Sequence, residues 1–340
     1  MQKLYTLSLI GLLLVLSALS LANGALQIPL EEIGRITAHE IGLSEGGEFN
    51  RGQQGVLMSI RFPRTLLAIL VGAGLSVSGA LMQGLFRNPL ADPGLVGVSS
   101  GAALGAALVI VLGSQLGWTA AWSLPIAAFC GAVVSTIVVL RLSSVGSKTV
   151  VANMLLAGIA INSIAGAATG VLVYLADEDQ LRDLTFWTLG SLGGADWGDV
   201  QLGLFVIGLP TLAALFIARA LNVMLLGEAA AYTLGVDIQR MKTIIVALVC
   251  IIVGCCVSMT GMIGFVGLVV PHLCRLLFGP DNRKVVPGSL LLGATLLLGA
   301  DLVSRLIIIP AELPIGIVTS MIGGPFFLAL LSMNSKKGIW

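Results

Sequence analysis

Apolar runs about as long as a membrane is thick recur from one end of this chain to the other, and nothing else constrains its fold as much. A helix needs about 20 consecutive apolar residues to cross a hydrocarbon core about 30 Å thick. Ten such runs are legible, roughly 4–26, 64–84, 94–112, 119–141, 150–175, 200–220, 242–260, 262–278, 286–304 and 313–333. Composition agrees: of the 340 residues 57% are hydrophobic and 10% charged, against about 25% charged in ordinary soluble domains. Mean hydropathy is +1.02. The chain reads as an all-α polytopic membrane protein, one transmembrane domain over 1–340 with about ten spans. The least distinct boundary is "TGMIGFVG", between the seventh and eighth runs.

The first run begins after Lys3 and ends near Leu26, where "LSLANGA" has the look of a cleavage site. It is longer than the ~7–15 residues of a signal-peptide core, so a retained first span is expected. An even span count puts both termini on one side, and cations choose the side. With both termini cytoplasmic, 12 of the 18 cations fall inside, among them Lys3, Arg87, Lys148, Lys242, Lys336 and Lys337. Outside are Arg35, Arg51, Arg61, Arg64, Arg182 and Arg305, together with 13 of the 17 acids. Net charge is +1, which leaves no basic field for nucleic acid. The five cysteines lie in apolar runs without metal-type spacing and read as packing residues.

"VGAGLSVSG", Val71 to Gly79, resembles "VGCCVSMTG", Val253 to Gly261, at a constant offset of 182. The two copies sit in spans two and seven, which run in opposite directions, as in the inverted repeats of transporters. Glycine numbers 43. Small residues in the spans suit close helix packing in lipid and equally the thin walls of a pathway. "RNPLADPGLVGVSSG", Arg87 to Gly101, is a polar, twice-broken turn between two apolar runs. The orientation makes Arg87 to Gly97 an inner loop that returns the chain into span three.

Several chemistries find no support. "GVSSG", Gly97 to Gly101, has the form of a nucleophile elbow, but no strand precedes it. The candidate bases for Ser99 are His39, in an outer loop, and His272, near the inner end of span eight. No phosphate-binding G-x-x-x-x-G-K-[ST] is present. No acid is expected deep in a span, and Asp301 lies one turn before Arg305 near the outer surface. An ion-driven carrier is weakened by that, and a partner remains as the energy source.

A short segment between spans six and seven fits such a partner. The loop covers about 220–241. In it Glu228 opens an Ala-rich stretch through Ala229 and Ala230, Tyr232 and Leu234 offer apolar contact, and Gly235 can close the helix. It reads either as an ordinary amphipathic loop or as a helix docking on a soluble ATPase. Its "EAA…G" form resembles the coupling loop of ABC importer permeases, with one residue more between the last Ala and the Gly. "RFPRTLLAILVGAGLSVSGALMQGLFRNPLADPGLVGVSSGAALG", "GMIGFVGLVVPHLCRLLFGPDNR" and "ELPIGIVTSMIGGPFFLALL" closely resemble blocks of the FecCD-type (type II) permeases, and the likeness runs over nearly the whole chain.

That resemblance implies a permease subunit of the bacterial inner membrane that has no ATPase site of its own. It implies a homodimer, two ATP-binding cassette subunits that use ATP and Mg, and a periplasmic binding protein. The chain itself is expected to bind no cofactor. Arg61, Arg64 and Arg305 match family positions that face acids on the binding protein. The alternative for them is anchoring of helix ends, or an Asp301–Arg305 pair. "LADEDQLRDLTFWTLGSLGGADW", Leu175 to Trp197, resembles hemin permeases. Heme is therefore the expected cargo, with a ferric siderophore second and cobalamin third. The competing classes are an ion-coupled secondary transporter and an intramembrane enzyme.

Overall fold

In a computed structural model, residues 2–43, 50–146 and 148–335 are described, so Lys336 and Lys337 lie outside the described residues. The first helices are α1 (Gln2–Ala22), α2 (Leu30–Glu40), α3 (Arg51–Val56), α4 (Phe62–Phe86), α5 (Val98–Leu112) and α6 (Ser123–Leu142). A two-stranded hairpin, β1 (Ser144–Val145) and β2 (Lys148–Thr149), leads to α7 (Val151–Leu175) and α8 (Glu178–Leu189). Then come α9 (Trp197–Gly203), α10 (Leu209–Leu225), α11 (Glu228–Thr233), α12 (Ile238–Thr260), α13 (Val266–Phe278), α14 (Asn282–Leu306) and α15 (Ile315–Ser335).

Aspartates open several of these helices. Asp177, Asp196, Asp237 and Asp281 each accept a backbone N–H of the first turn. Such a cap satisfies a donor that the helix leaves free and suits the positive end of its dipole. Much of the scarce acidity of the chain thus sits at helix ends.

Among the described residues, seven helical stretches are long and apolar enough to cross a membrane, and the apolar helices Val98–Leu112, Val266–Phe278 and Ile315–Ala329 are shorter. The protein is a helical, multi-pass membrane protein. Several boundaries differ from those read in the sequence. The second run belongs to a helical stretch that starts at Arg51 and passes through a π-turn at Leu57–Arg61. The sixth is continuous from Trp197 through a second π-turn, Leu204–Gly208. Runs three and eight give short helices because their first residues are not α-helical. The helices α2 and α8 have no counterpart among the ten runs. Both are short and amphipathic, too polar to register as spans.

The core is built around α4. In its most apolar window 83% of residues are buried, against 6% for α1 at the periphery. α14, α13, α12 and α10 pack directly on it. Lipid tails give apolar helices little reason to associate, so close backbone approach must hold such a bundle. At Gly79 the approach is extreme. An added Cβ there would lie 1.7 Å from the Gly267 carbonyl oxygen. The matching glycine of the sequence repeat, Gly261, serves differently and ends α12 with φ +68. The two nine-residue segments therefore diverge in backbone at their last residue.

The Gly79→Ala variant is expected to lose about 1–3 kcal/mol or more, since its methyl meets backbone rather than a movable side chain. Gly166→Ala, which meets nothing within 4 Å, should stay within about 0.5 kcal/mol of the parent. Thermal unfolding in detergent micelles distinguishes the two.

Candidate functional site

The first feature is an ion network at the N-terminal end of α4. Asp301 on α14 is fully buried and holds two arginines. Arg64 Nε and Nη2 each lie 2.9 Å from Asp301 Oδ1. Arg305 Nε lies 3.1 Å from Asp301 Oδ2, too bent for a hydrogen bond, so that contact is a coulombic one. Arg305 Nη2 also donates to Ser20 Oγ at 2.7 Å, and Ser20 is bonded to Thr65. Arg61 caps the end of α1 by donating to the carbonyls of Leu21, Ala22 and Leu26.

Arg61, Arg64 and Arg305 are thus brought together, but they are sunk, with 4%, 5% and 7% of their surface exposed. Their forks are committed inside the fold. The Asp301–Arg305 pair weighed in the sequence is present, and Arg64 joins it. The group that emerges is Glu312, whose side chain is 43% exposed while Arg64 Nη1 donates to it at 2.9 Å. Sequence reasoning missed Glu312. Its only signal was being the nearest acid after Arg305.

The second feature is an open cavity of about 660 Å³, walled by α4, α5, α8, α12, α13 and α15. Asp92, Pro93, Ser99, Thr188, Met262 and Ser320 are among its lining residues. Here the structure divides the inner loop read at Arg87 to Gly97: residues 87–90 are exposed at the end of α4, whereas Asp92 and Pro93 lie on the cavity. Arg87 ends α4 with φ 50, and the chain then turns back inward. Pro93 comes to rest beside Gly267, which itself abuts the Leu75 carbonyl. Leu75 is 11 residues before the end of α4, so the turn penetrates about 16 Å at 1.5 Å per residue.

Asp92 Oδ1 accepts the Gly94 N–H at 2.7 Å, a 3₁₀ turn spans Pro93–Val96, and Gly97 at φ +80 releases the chain into α5. An acid thus lies at cavity depth, contrary to the expectation of none. The Asp-Pro-Gly signature of an Asx turn was visible in the sequence, but its depth was not.

A second unwound segment faces the same cavity. Residues 261–264 are non-helical, and Phe265 starts α13 from φ +68. The Ser191 N–H donates to the Thr260 carbonyl at 2.8 Å, where α12 gives way to the link, and the Ile315 N–H donates to the Gly190 carbonyl at 3.1 Å, with Gly190 itself against the Met262 carbonyl. Ser99 makes no hydrogen bond to His272 among the described residues. The His272 ring packs edge-on against Phe326, with centroids 6.0 Å apart.

The third feature lies at the other end of the bundle. Gly84, near the C-terminus of α4, packs on Leu221 of α10, and α10 leads into α11. The Ala-rich helix forms over Glu228–Thr233, and Gly235 at φ +78 follows it. Gly235 N–H donates to the Tyr232 carbonyl and Val236 N–H to that of Ala231, each at 3.0 Å. Ala231 is buried and seats the helix, Ala230 is half-buried, and Ala229 is exposed. Tyr232 and Leu234 point outward, 78% and 61% exposed, and Leu226 joins them at 66%. Sequence reasoning missed Leu226.

Glu228 Oε1 accepts from Lys242 Nζ at 2.7 Å. That hydrogen bond, together with the positive charges of Arg87 and Lys148, holds the carboxyl below its ordinary range. The contact is therefore intact at neutral pH and is lost only as pH falls through the depressed value. No group of three or more His, Cys, Asp or Glu side chains placed to hold a metal occurs among the described residues.

Replacing Asp301 by Asn leaves two buried arginines short of their shared counter-charge. Removing one partner of such a buried set costs about 3–5 kcal/mol. A correspondingly lower unfolding midpoint is expected for Asp301→Asn, while Glu312→Gln, at the exposed edge, should change it far less.

Comparison with known proteins places this geometry among transport proteins. The model of the FecCD transport family matches residues 12–333. The hemin transport system permease protein HmuU of Yersinia pestis is 43% identical over 99% of this chain and 98% of its own. The cobalamin import system permease protein BtuC of Halobacterium salinarum is 40% identical over 95% of this chain and 84% of its own. A metal-chelate-type ABC transporter, solved in an inward-facing conformation, superposes with a TM-score of 0.83 at 30% identity, covering 96% of this chain and 98% of that one.

Proposed function

Because the chain belongs to the FecCD transport family, as a permease subunit of an ABC transporter whose ATP is hydrolysed by partner subunits, we propose that it forms the import pathway for hemin across the bacterial inner membrane. The observation that carries the reading is the cavity of about 660 Å³. Two unwound backbone segments enter its wall beside the helices. Its volume is in the range of about 300–1,000 Å³ usual for small-molecule sites. Broken helices around a central site, between inverted repeats, are what transporters use to bind and release cargo.

Hemin leads as cargo on the relationship to a hemin permease over essentially the full length of both chains. A cobalamin permease at 40% identity favours cobalamin as the second reading, and the metal-chelate transporter keeps ferric siderophores open as a third. The full assembly in this reading is a homodimer of ten-span subunits with both termini cytoplasmic. Two ATP-binding cassette subunits sit on the α11 face, and a periplasmic binding protein docks at the Arg64 end. The chain binds no cofactor of its own, and ATP with Mg is used by the cassette subunits.

Binding-protein docking at Arg61, Arg64 and Arg305 takes a modified form. The arginines hold the rim in shape, and the exposed Glu312 carboxylate among them is the group that meets solvent. On the opposite face, Glu228, Ala229, Ala230, Tyr232, Leu234 and Gly235 make up the ATPase-coupling helix. An exposed aromatic with an aliphatic neighbour is the usual anchor of such a contact.

Reconstitution with the cognate ATPase and binding protein in liposomes tests the reading. ATP-dependent hemin uptake is expected, and uptake of cobalamin or a ferric siderophore instead would reassign the cargo. Uptake that persists without any ATPase but collapses with an ionophore would contradict the importer class. Changing Tyr232 and Leu234 together to Ala is expected to weaken ATPase association by about 30-fold or more, the effect of losing one hot spot of about 2 kcal/mol. Titrating the ATPase into the reconstituted permease reads this directly.

A further inference from the structure

Lys242 is an unusual cation. It lies at the cytoplasmic base of α12, yet its side chain is only 3% exposed. Its ammonium donates to two elements other than its own: Glu228 Oε1 on α11 at 2.7 Å and the Thr149 carbonyl of the β-hairpin at 2.8 Å. The hairpin is held to α12 a second time, where Thr149 N–H donates to Gln239 Oε1 at 2.8 Å. Burying a lysine is costly unless every donor is used well, and a surface lysine would serve a mere helix cap as effectively.

The hairpin is one residue from the start of α7, and α7 packs against the turn that contributes Asp92 and Pro93 to the cavity. Asn162 on α7 donates through Nδ2 to the Gly94 carbonyl at 3.2 Å, and its Oδ1 accepts from Ser100 Oγ. Gly158, one turn earlier, lies directly against the Leu95 carbonyl. Gly94 and Leu95 belong to the penetrating turn that places Asp92 and Pro93 on the cavity. A continuous set of bonds therefore runs from α11 through Lys242 and Thr149, along about 18 Å of rigid α7 at 1.5 Å per residue, to the unwound part of the cavity wall.

We propose that Lys242 is the positioning residue that transmits movement of the ATPase-docking helix to the cavity, through Thr149 and α7 to the turn at Asp92–Gly97. The inference rests on the coupling role of α11 given above. It adds the route and names the residue on which the route converges. Its physical content is that α11, the hairpin and α7 move as one body while Lys242 bridges them, and as separate bodies when it does not.

The test uses the reconstituted complex with its ATPase and a reporter cysteine, Ser99→Cys, in the cavity. Labelling by a water-soluble maleimide is measured with and without ATP, against the parent lacking the reporter. ATP is expected to change the labelling rate of the reporter. In Lys242→Met the ATPase should still co-purify and hydrolyse ATP, but the ATP-driven change should shrink at least about fivefold, the lower end of ordinary coupling between sites. Lys242→Arg, which keeps both donors, should restore it. Asn162→Ala breaks the far end of the same route without touching α11 and should shrink the change likewise.

An undiminished ATP response in both Lys242→Met and Asn162→Ala overturns the proposal. So does loss of ATPase co-purification in Lys242→Met together with a normal response in Asn162→Ala, which would make Lys242 part of the docking seat alone. If no ATPase associates even with the unsubstituted chain, it is the coupling role of α11 that fails, and the relay with it.

Discussion

Hydrocarbon offers no hydrogen bonds, so a peptide group at membrane depth must find its partner within the protein or at a wet cavity. The rest of this fold follows from that constraint. Regular helices meet it without help, and most of the chain is regular helix. Two of the segments that line the cavity are not: the turn after α4 and the link between α12 and α13. The turn is held by Asn162 of α7, the link is anchored at its α12 end by the Ser191 N–H, and both line the same cavity. Irregular backbone is present at depth where a passage needs polar groups and movable walls. In a purely structural bundle it would only destabilise.

Charge is distributed by the same rule. Two charge-paired sets lie inside the bundle, Asp301 between two arginines and Lys242 between Glu228 and Thr149. They lie at opposite ends of the molecule, near the faces on which soluble partners dock in the proposed assembly. Each joins elements that are distant in sequence. Arg64 and Asp301 are 237 residues apart, and Lys242 reaches 93 residues back to Thr149. Isolated buried charge would be prohibitive, but a paired set fixes which helices meet and in what register. The two ends are thereby made stiff, and the cavity between them is where helices are interrupted.

Much of this was legible in the letters. The ten apolar runs fall on helices, and the Ala-rich stretch at Glu228 forms the short helix closed by Gly235, because local propensity and length decide both. The prolines and glycines of "RNPLADPGLVGVSSG" marked a break, and the break is there. What the letters did not carry was depth. Nothing in a run of small residues says whether a turn rests at the surface or folds back beside Gly267. Nor does an arginine at a helix end say whether it faces water or Asp301, since the partner is 237 residues away. Helices α2 and α8 escaped because a search for long apolar runs passes over amphipathic ones.

The inward course of the turn after α4 is what joins the fold to transport, and vectorial labelling tests it most directly. Single cysteines at Asn88 and at Asp92 would be challenged, in sealed membrane vesicles, with an impermeant maleimide applied from the α11 face. Asn88 is exposed and Asp92 is on the cavity. The cysteine at 88 is expected to react fully from that face, while the one at 92, only four residues on, stays protected. Equal labelling of both from the α11 face would mean that the segment is an ordinary surface loop, and would contradict a cavity wall built from it.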